Sequence, residues 1–214
     1  MNLPFSQDQF FLVFRLYNEG VWPAQILLNI LAITLIGLSL RKFPNGSRII
    51  SIVLGIFWLW MGIVYHVGFF SSINPAAYFF GAGFAVQGIL LFWIGSKNRV
   101  RYQWRRDGRG IAGAFLVGFA LILYPLLGYF QNHTYPASPT FGLPCPTTIF
   151  TFGIFLWSSG LPRVTLVIPG LWSLIGFFAA LSLGVLEDIG LLISALIALP
   201  IILMQKSEMR EVVQ

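Results

Sequence analysis

The sequence predicts an all-α, polytopic membrane protein with seven transmembrane helices, its N-terminus outside and its C-terminus in the cytoplasm. Three observations carry that reading. The 214 residues are 57% hydrophobic and only 9% charged, whereas soluble domains carry about 25% charge. Apolar runs recur along the whole chain, and about 20 such residues cross roughly 30 Å of hydrocarbon as a helix. Lys and Arg gather in alternate loops, as they do on the cytoplasmic side of membrane proteins. Seven spans would use about 140 residues, which leaves no room for a soluble catalytic domain.

Residues 1–20 do not read as a secretory signal, because Asp8, Arg15 and Glu19 interrupt the apolar run and no small-residue cleavage site follows. Ser6 followed by Gln9 resembles a capping box, with Phe10, Phe11, Phe14 and Tyr17 behind it. That pattern predicts a short helix lying at the membrane interface. The membrane domain, residues 21–204, holds seven runs: Val21–Leu40, Ile49–Phe70, Pro75–Gly95, Gly110–Phe130, Pro146–Ser159, Thr165–Gly184 and Ile189–Met204. The fifth is short. Joining the last two into one span would bury Glu187 and Asp188 in lipid, so they are read as separate. Residues 205–214 form a cytoplasmic tail.

Charge placement tests that count independently. Arg41, Lys42 and Arg48 follow the first span, and Lys97, Arg99, Arg101, Arg105, Arg106 and Arg109 follow the third. Arg163 follows the fifth, and Lys206 and Arg210 follow the seventh. Twelve of the 13 Lys and Arg residues therefore fall on one side, with Arg15 the exception. The loops 71–74 and 131–144 contain none. The basic loop 97–109 is an orientation signal with some affinity for anionic headgroups, and nucleic acid is not a partner.

The pattern also points to a parallel repeat. Trp58 has Gly62 four residues on and Asn74 sixteen residues on, and Trp172 has Gly176 and Asp188 at the same distances. Residues 21–95 and 146–204 would then be two triplets of like orientation joined by a connector helix at 110–130, a known transporter design. Gly110, Ala114 and Gly118 would give that connector a small-residue ridge for close packing.

Polar groups inside a bilayer are costly, so each needs a partner or a task. Gln25, Asn29, His66, Asn74, Thr147, Thr151 and Asp188 sit toward the outer ends of their spans and are assigned to the lining of an outward-facing polar cavity between the triplets. Each also has a plainer role: the amides can bond neighbouring helices, and Glu187 and Asp188 complement a helix dipole. His66, His133, Cys145 and Asp188 carry ligand types that suit zinc or copper, but no H-x-x-x-H or C-x-x-C spacing supports them. Catalytic motifs are lacking: there is no G-x-S-x-G elbow and no phosphate-binding glycine loop, and Asn45-Gly46-Ser47 is a turn signal. One cysteine excludes an internal disulfide and any Cys-rich cluster.

Several stretches resemble a family. They are Gln9-Phe10-Phe11, the run Tyr17 to Gln25, Trp58 to His66, Ile73 to Ala77, Pro144 to Thr151 and Glu187-Asp188-Ile189-Gly190. Together they look like a bacterial family of integral membrane proteins catalogued only as a domain of unknown function. The resemblance implies a multi-pass protein of the bacterial inner membrane, and no established activity or cofactor. The three-plus-one-plus-three plan is similar in architecture to SWEET-type sugar carriers, although their Pro-Gln signature is not clearly present. The leading expectation is a small-solute carrier or binder. The alternatives are a metal-dependent membrane enzyme or metal carrier using His66, His133, Cys145 and Asp188, and a membrane scaffold. The lipid bilayer and a small solute are the expected partners, and an oligomer is compatible with all three.

Overall fold

The computed structural model describes residues 4–204; the tail at 205–214, with Lys206 and Arg210, lies outside the described residues. Helix α1 (Gln7–Gly20) opens with the expected capping box. Gln9 N–H donates to Ser6 Oγ at 3.2 Å, and Ser6 N–H donates to Gln9 Oε1 at 2.9 Å. Helix α2 (Ala24–Leu40) follows at an angle of 86° to α1. Helix α3 (Gly46–Trp60) continues through a widened π-helical stretch, Met61–Val67, and a short 3₁₀ turn, Phe70–Ser72. Helix α4 (Ala77–Lys97) returns beside it.

Helix α5 (Gly108–Gly118) runs through a second π-helical stretch, Phe119–Leu123, into α6 (Tyr124–Phe130). Pro125 lies just beyond that stretch. A proline has no amide hydrogen for the preceding turn and crowds its carbonyl, and widening the turn relieves both. Helices α7 (Pro144–Leu156), α8 (Val167–Leu183) and α9 (Ile189–Leu203) complete the bundle. Five helical stretches are long and apolar enough to cross a membrane, and six if the bent α1–α2 pair is one span. The protein is therefore a polytopic helical membrane protein. Helix α7 has 13 residues, short of a span. Nearly every one of them is buried, Cys145 being the exception, so α7 forms the middle of the bundle rather than its lipid-facing wall.

Glycines set the closest helix crossings. A Cβ on Gly55 would lie 2.9 Å from the carbonyl oxygen of Gly88, and one on Gly62 would lie 2.7 Å from that of Gly81. Glycine seven residues apart on both helices thus lets the α3 and α4 backbones touch. Between α5 and α7 the pair is Gly113 and Gly153, where a Cβ on the first would lie 2.7 Å from the oxygen of the second. This corrects the expected ridge. Gly118 has open space around it and Ala114 is exposed, so the packed face of α5 runs through Gly110 and Gly113 instead.

The basic loops are joined to one another. Strands β1 (Arg101–Tyr102) and β2 (Ser158–Ser159) pair antiparallel, linking the loop after α4 to the loop after α7. Trp104 N–H donates to Ser39 O at the end of α2, and Tyr102 N–H donates to Ser47 Oγ at the start of α3. Burial pushes the Tyr102 hydroxyl up to about 12, against the opposing pull of the hydrogen bond it accepts from Ser51 Oγ. Two of the arginines also close helix ends. Arg109 donates to Leu156 O and Ser158 O at the end of α7, and Arg163 donates to Leu203 O at the end of α9. A guanidinium there meets carbonyls without helical partners and the negative end of the dipole.

Asp107 N-caps α5 through Gly110 N–H at 2.9 Å and also holds Arg105 at 2.8 Å. The backbone bond, then the arginines, hold its carboxyl below the ordinary carboxylate range. A group with a lowered folded pKa contributes stability above its unfolded pKa and loses it as the pH falls through the folded one. Asp107→Ala should cost about 1 kcal/mol at neutral pH and progressively less in acid. Thermal melts of both proteins across the acid range check this. A deficit that persists below the titration of Asp107 would count against the cap.

Candidate functional site

At the end of the bundle opposite the basic loops lies a cavity of about 170 Å³. Phe5, Phe10 and Phe14 of the N-terminal segment cover it, with Tyr65 and Phe70 from the end of α3 and Phe80 of α4. Its other walls are Leu143 to Pro146 at the start of α7 and the face of α8 from Trp172 to Leu183. The expected polar cavity is in fact largely apolar. Asn74, Cys145 and Asp188 are its polar contributors, and Trp172 adds an indole.

Helix α1 roofs the cavity because its aromatics fall four apart. Phe10 and Phe14 lie on one face, with ring centroids 4.5 Å apart, and Phe10 meets Phe70 at 6.0 Å. The 86° bend at Gly20–Pro23 turns that face onto the bundle. The bend is braced by polar groups. Gln25 Nε2 donates to Asn18 Oδ1 and to Thr140 Oγ1, and Asn18 Nδ2 donates to the carbonyls of Pro136 and Ser138. Gln25 therefore ties α2 to α1 and to the loop 131–143 and does not line the cavity.

The remaining expected lining residues divide in the same way. Asn29 is exposed and donates to Gln25 O one turn back. Thr147 Oγ1 accepts from Gly142 N–H at 2.9 Å, and Thr151 Oγ1 accepts from Trp58 Nε1 at 3.2 Å. Both threonines are fully buried and join α7 to its neighbours. Asn74 does line the cavity, while its Oδ1 accepts from Ala76 N–H at the start of α4. His66 is fully buried one layer behind the wall, with its ring centroid 4.7 Å from Phe84 and 5.1 Å from Trp172. Among the described residues neither of its ring nitrogens has a hydrogen-bond partner, nor does Trp172 Nε1.

Asp188 is the buried acid of the cavity. Its Oδ1 accepts a short hydrogen bond from the Tyr124 hydroxyl, and the Cys145 thiol lies beside it. The acids at 187–188 precede α9 as expected, yet neither side chain caps it. Glu187 is 1% exposed and faces the loop 131–143. Its Oε1 lies 2.9 Å from His133 Nδ1, and its Oε2 accepts from Gln131 Nε2 at 3.1 Å. Phe11 of α1 packs at a tilt against the His133 ring, with centroids 4.6 Å apart. The four expected metal ligands are thus divided. Cys145 and Asp188 share the cavity wall, His133 belongs to Glu187, and His66 sits among aromatics. Among the described residues no group of three His, Cys, Asp or Glu side chains is placed to hold a metal ion.

Sequence reasoning missed the apolar lining from α1, together with Tyr124, Asn18 and Gln131. The aromatic spacing at 10 and 14 was the available signal, since an interfacial helix and a roof helix both need one apolar face.

A bundle of apolar helices roofed at one end over an apolar cavity with a buried acid defines a helical membrane protein with an internal small-molecule-sized space. Residues 7–212 match DUF6064, a family of unknown function, and the chain belongs to that family. No curated protein and no solved structure matches it.

Proposed function

We propose that the protein is a carrier or binder of small, largely apolar molecules, held in the cavity beneath α1 with a polar group of the guest toward Asp188, Asn74 and Cys145. The observation that carries this reading is the lining. Apolar cavities of roughly 150 Å³ stay dry and take apolar guests, and this one is of similar size with polar groups at few places. In this reading α2 and α7 complete seven spans, α1 lies at the outer surface and the basic loops face the cytoplasm. Support for the alternation comes from the β1–β2 ladder and the Ser39 bond, which draw the ends of α2, α4 and α7 to one end of the bundle. A parallel repeat is supported by the 3₁₀ turns that precede both α4 and α9, at Phe70–Ser72 and Leu186–Asp188.

Cys145 is the sole cysteine and lies in the cavity wall, so its alkylation by N-ethylmaleimide in reconstituted vesicles reports occupancy. Naphthalene should slow the reaction severalfold and saturably, and glucose should not. Ala179→Phe, which places a ring in the cavity, should slow it without any guest. Protection by glucose alone would return the site to polar solutes. An unchanged rate in Ala179→Phe would show that Cys145 is not reached through the cavity, and the reading would fall.

A further inference from the structure

A second concavity lies at the basic end of the bundle, about 280 Å³ in volume, between the α2–α3 turn and strand β1. Arg41, Lys42 and Arg101 line it, with Ser47, Tyr102 and Gln103. Positive charge spread along a loop is enough to orient a membrane protein. Here three cationic residues from two separate segments converge on one cleft, and no carboxylate among the described residues pairs with any of them. Asp107, the acid of the same basic loop, is engaged by Arg105 and the α5 cap.

The cleft is also built on fixed supports. Asn45 adopts a left-handed conformation, φ 60°, that turns the chain sharply into α3. Tyr102 N–H on Ser47 Oγ holds β1 against that turn, Tyr102 is held from below by Ser51, and β2 pins the far side of the strand. The N-terminus of α3 has no side-chain cap, so the positive end of its dipole adds to the same field. Leu40 and Phe43, both exposed, stand beside the cationic residues. A guest with an anionic head and an apolar body would match both.

We infer that the cleft formed by Arg41, Lys42 and Arg101 over Ser47 and Tyr102 binds a phosphate group. Two arginines can each present paired N–H donors to phosphate oxygens, and Lys42 supplies a point charge. The shared chemistry is a phosphate mono- or diester, which either an anionic phospholipid headgroup or a free phosphate compound would supply. This site is independent of the cavity under α1.

The purified full chain is mixed with dioleoylphosphatidylglycerol or dioleoylphosphatidylcholine and bound lipid is counted by native mass spectrometry, with inorganic phosphate added as competitor. One phosphatidylglycerol should remain bound where phosphatidylcholine does not. The triple variant Arg41→Gln, Lys42→Gln, Arg101→Gln should weaken binding about a hundredfold, since each basic residue near an anionic head contributes roughly a fivefold factor. Arg99→Gln with Arg106→Gln removes two charges outside the cleft and should leave binding within a few-fold. Displacement by millimolar phosphate would name a free phosphate compound as the guest, and resistance to it would name the lipid. Equal retention of phosphatidylcholine, or equal losses in the two charge variants, would overturn the site. A thermal melt of each variant separates loss of binding from loss of fold.

Discussion

Gly62→Val should destabilise the protein more than any other single change considered, by roughly 3 kcal/mol. The Cβ would lie 2.7 Å from Gly81 O and 3.1 Å from Ala85 N, both backbone atoms of α4 that no rotamer change can move aside. Helices in a bilayer gain little from burying apolar surface, because lipid is as apolar as leucine; close packing holds them together. Forcing α3 and α4 apart would also loosen Trp58 and Phe84, whose tilted rings meet at 4.7 Å in the core. Gly83→Val is the matched control, since a Cβ there meets nothing within 4 Å. Melting of both variants in detergent checks the difference, and equal transitions would show that the glycine contact is not what fixes the crossing.

The second large effect is expected at His133. His133→Ala leaves the Glu187 carboxylate, 1% exposed, with Gln131 as its remaining side-chain partner. Removing one partner of a buried hydrogen-bonded polar pair costs more than removing both, because the survivor keeps its desolvation penalty. A loss of roughly 2–3 kcal/mol is expected, and His133→Ala combined with Glu187→Gln should recover part of it. The loop 131–143 carries Pro139 in the cavity wall, so the single variant should also speed alkylation of Cys145. A double variant no more stable than the single one would mean that the histidine acts through its contact with Phe11 and not through Glu187.

Most of the membrane helices were legible in the sequence because α3, α4, α5–α6, α8 and α9 are long runs bounded by charges and turn residues. Helix α7 was legible as an element and not as a core. A helix buried on every side and one facing lipid are both apolar all round, so periodicity carries no signal to separate them. The polar residues posed the same problem. Gln25, Thr147 and Thr151 are polar because they bond helices together, whereas Asp188 and Asn74 also reach a cavity, and a residue type alone does not record which. The cleft at Arg41 and Arg101 required the fold, since the two residues are sixty positions apart.

The enclosure of α7 has a consequence for biogenesis. At 13 residues it is roughly 20 Å long, too short to settle alone across a bilayer without thinning it. Its glycine partner in α5 is synthesised before it, but α9, which covers another side, emerges more than thirty residues later. The nascent α7 must therefore be held by α5 at the insertion machinery, its flank provisionally against lipid or a chaperone, until α9 arrives. A chain truncated before α9 would expose that flank to quality-control proteases, so α9 acts as the latch on α7.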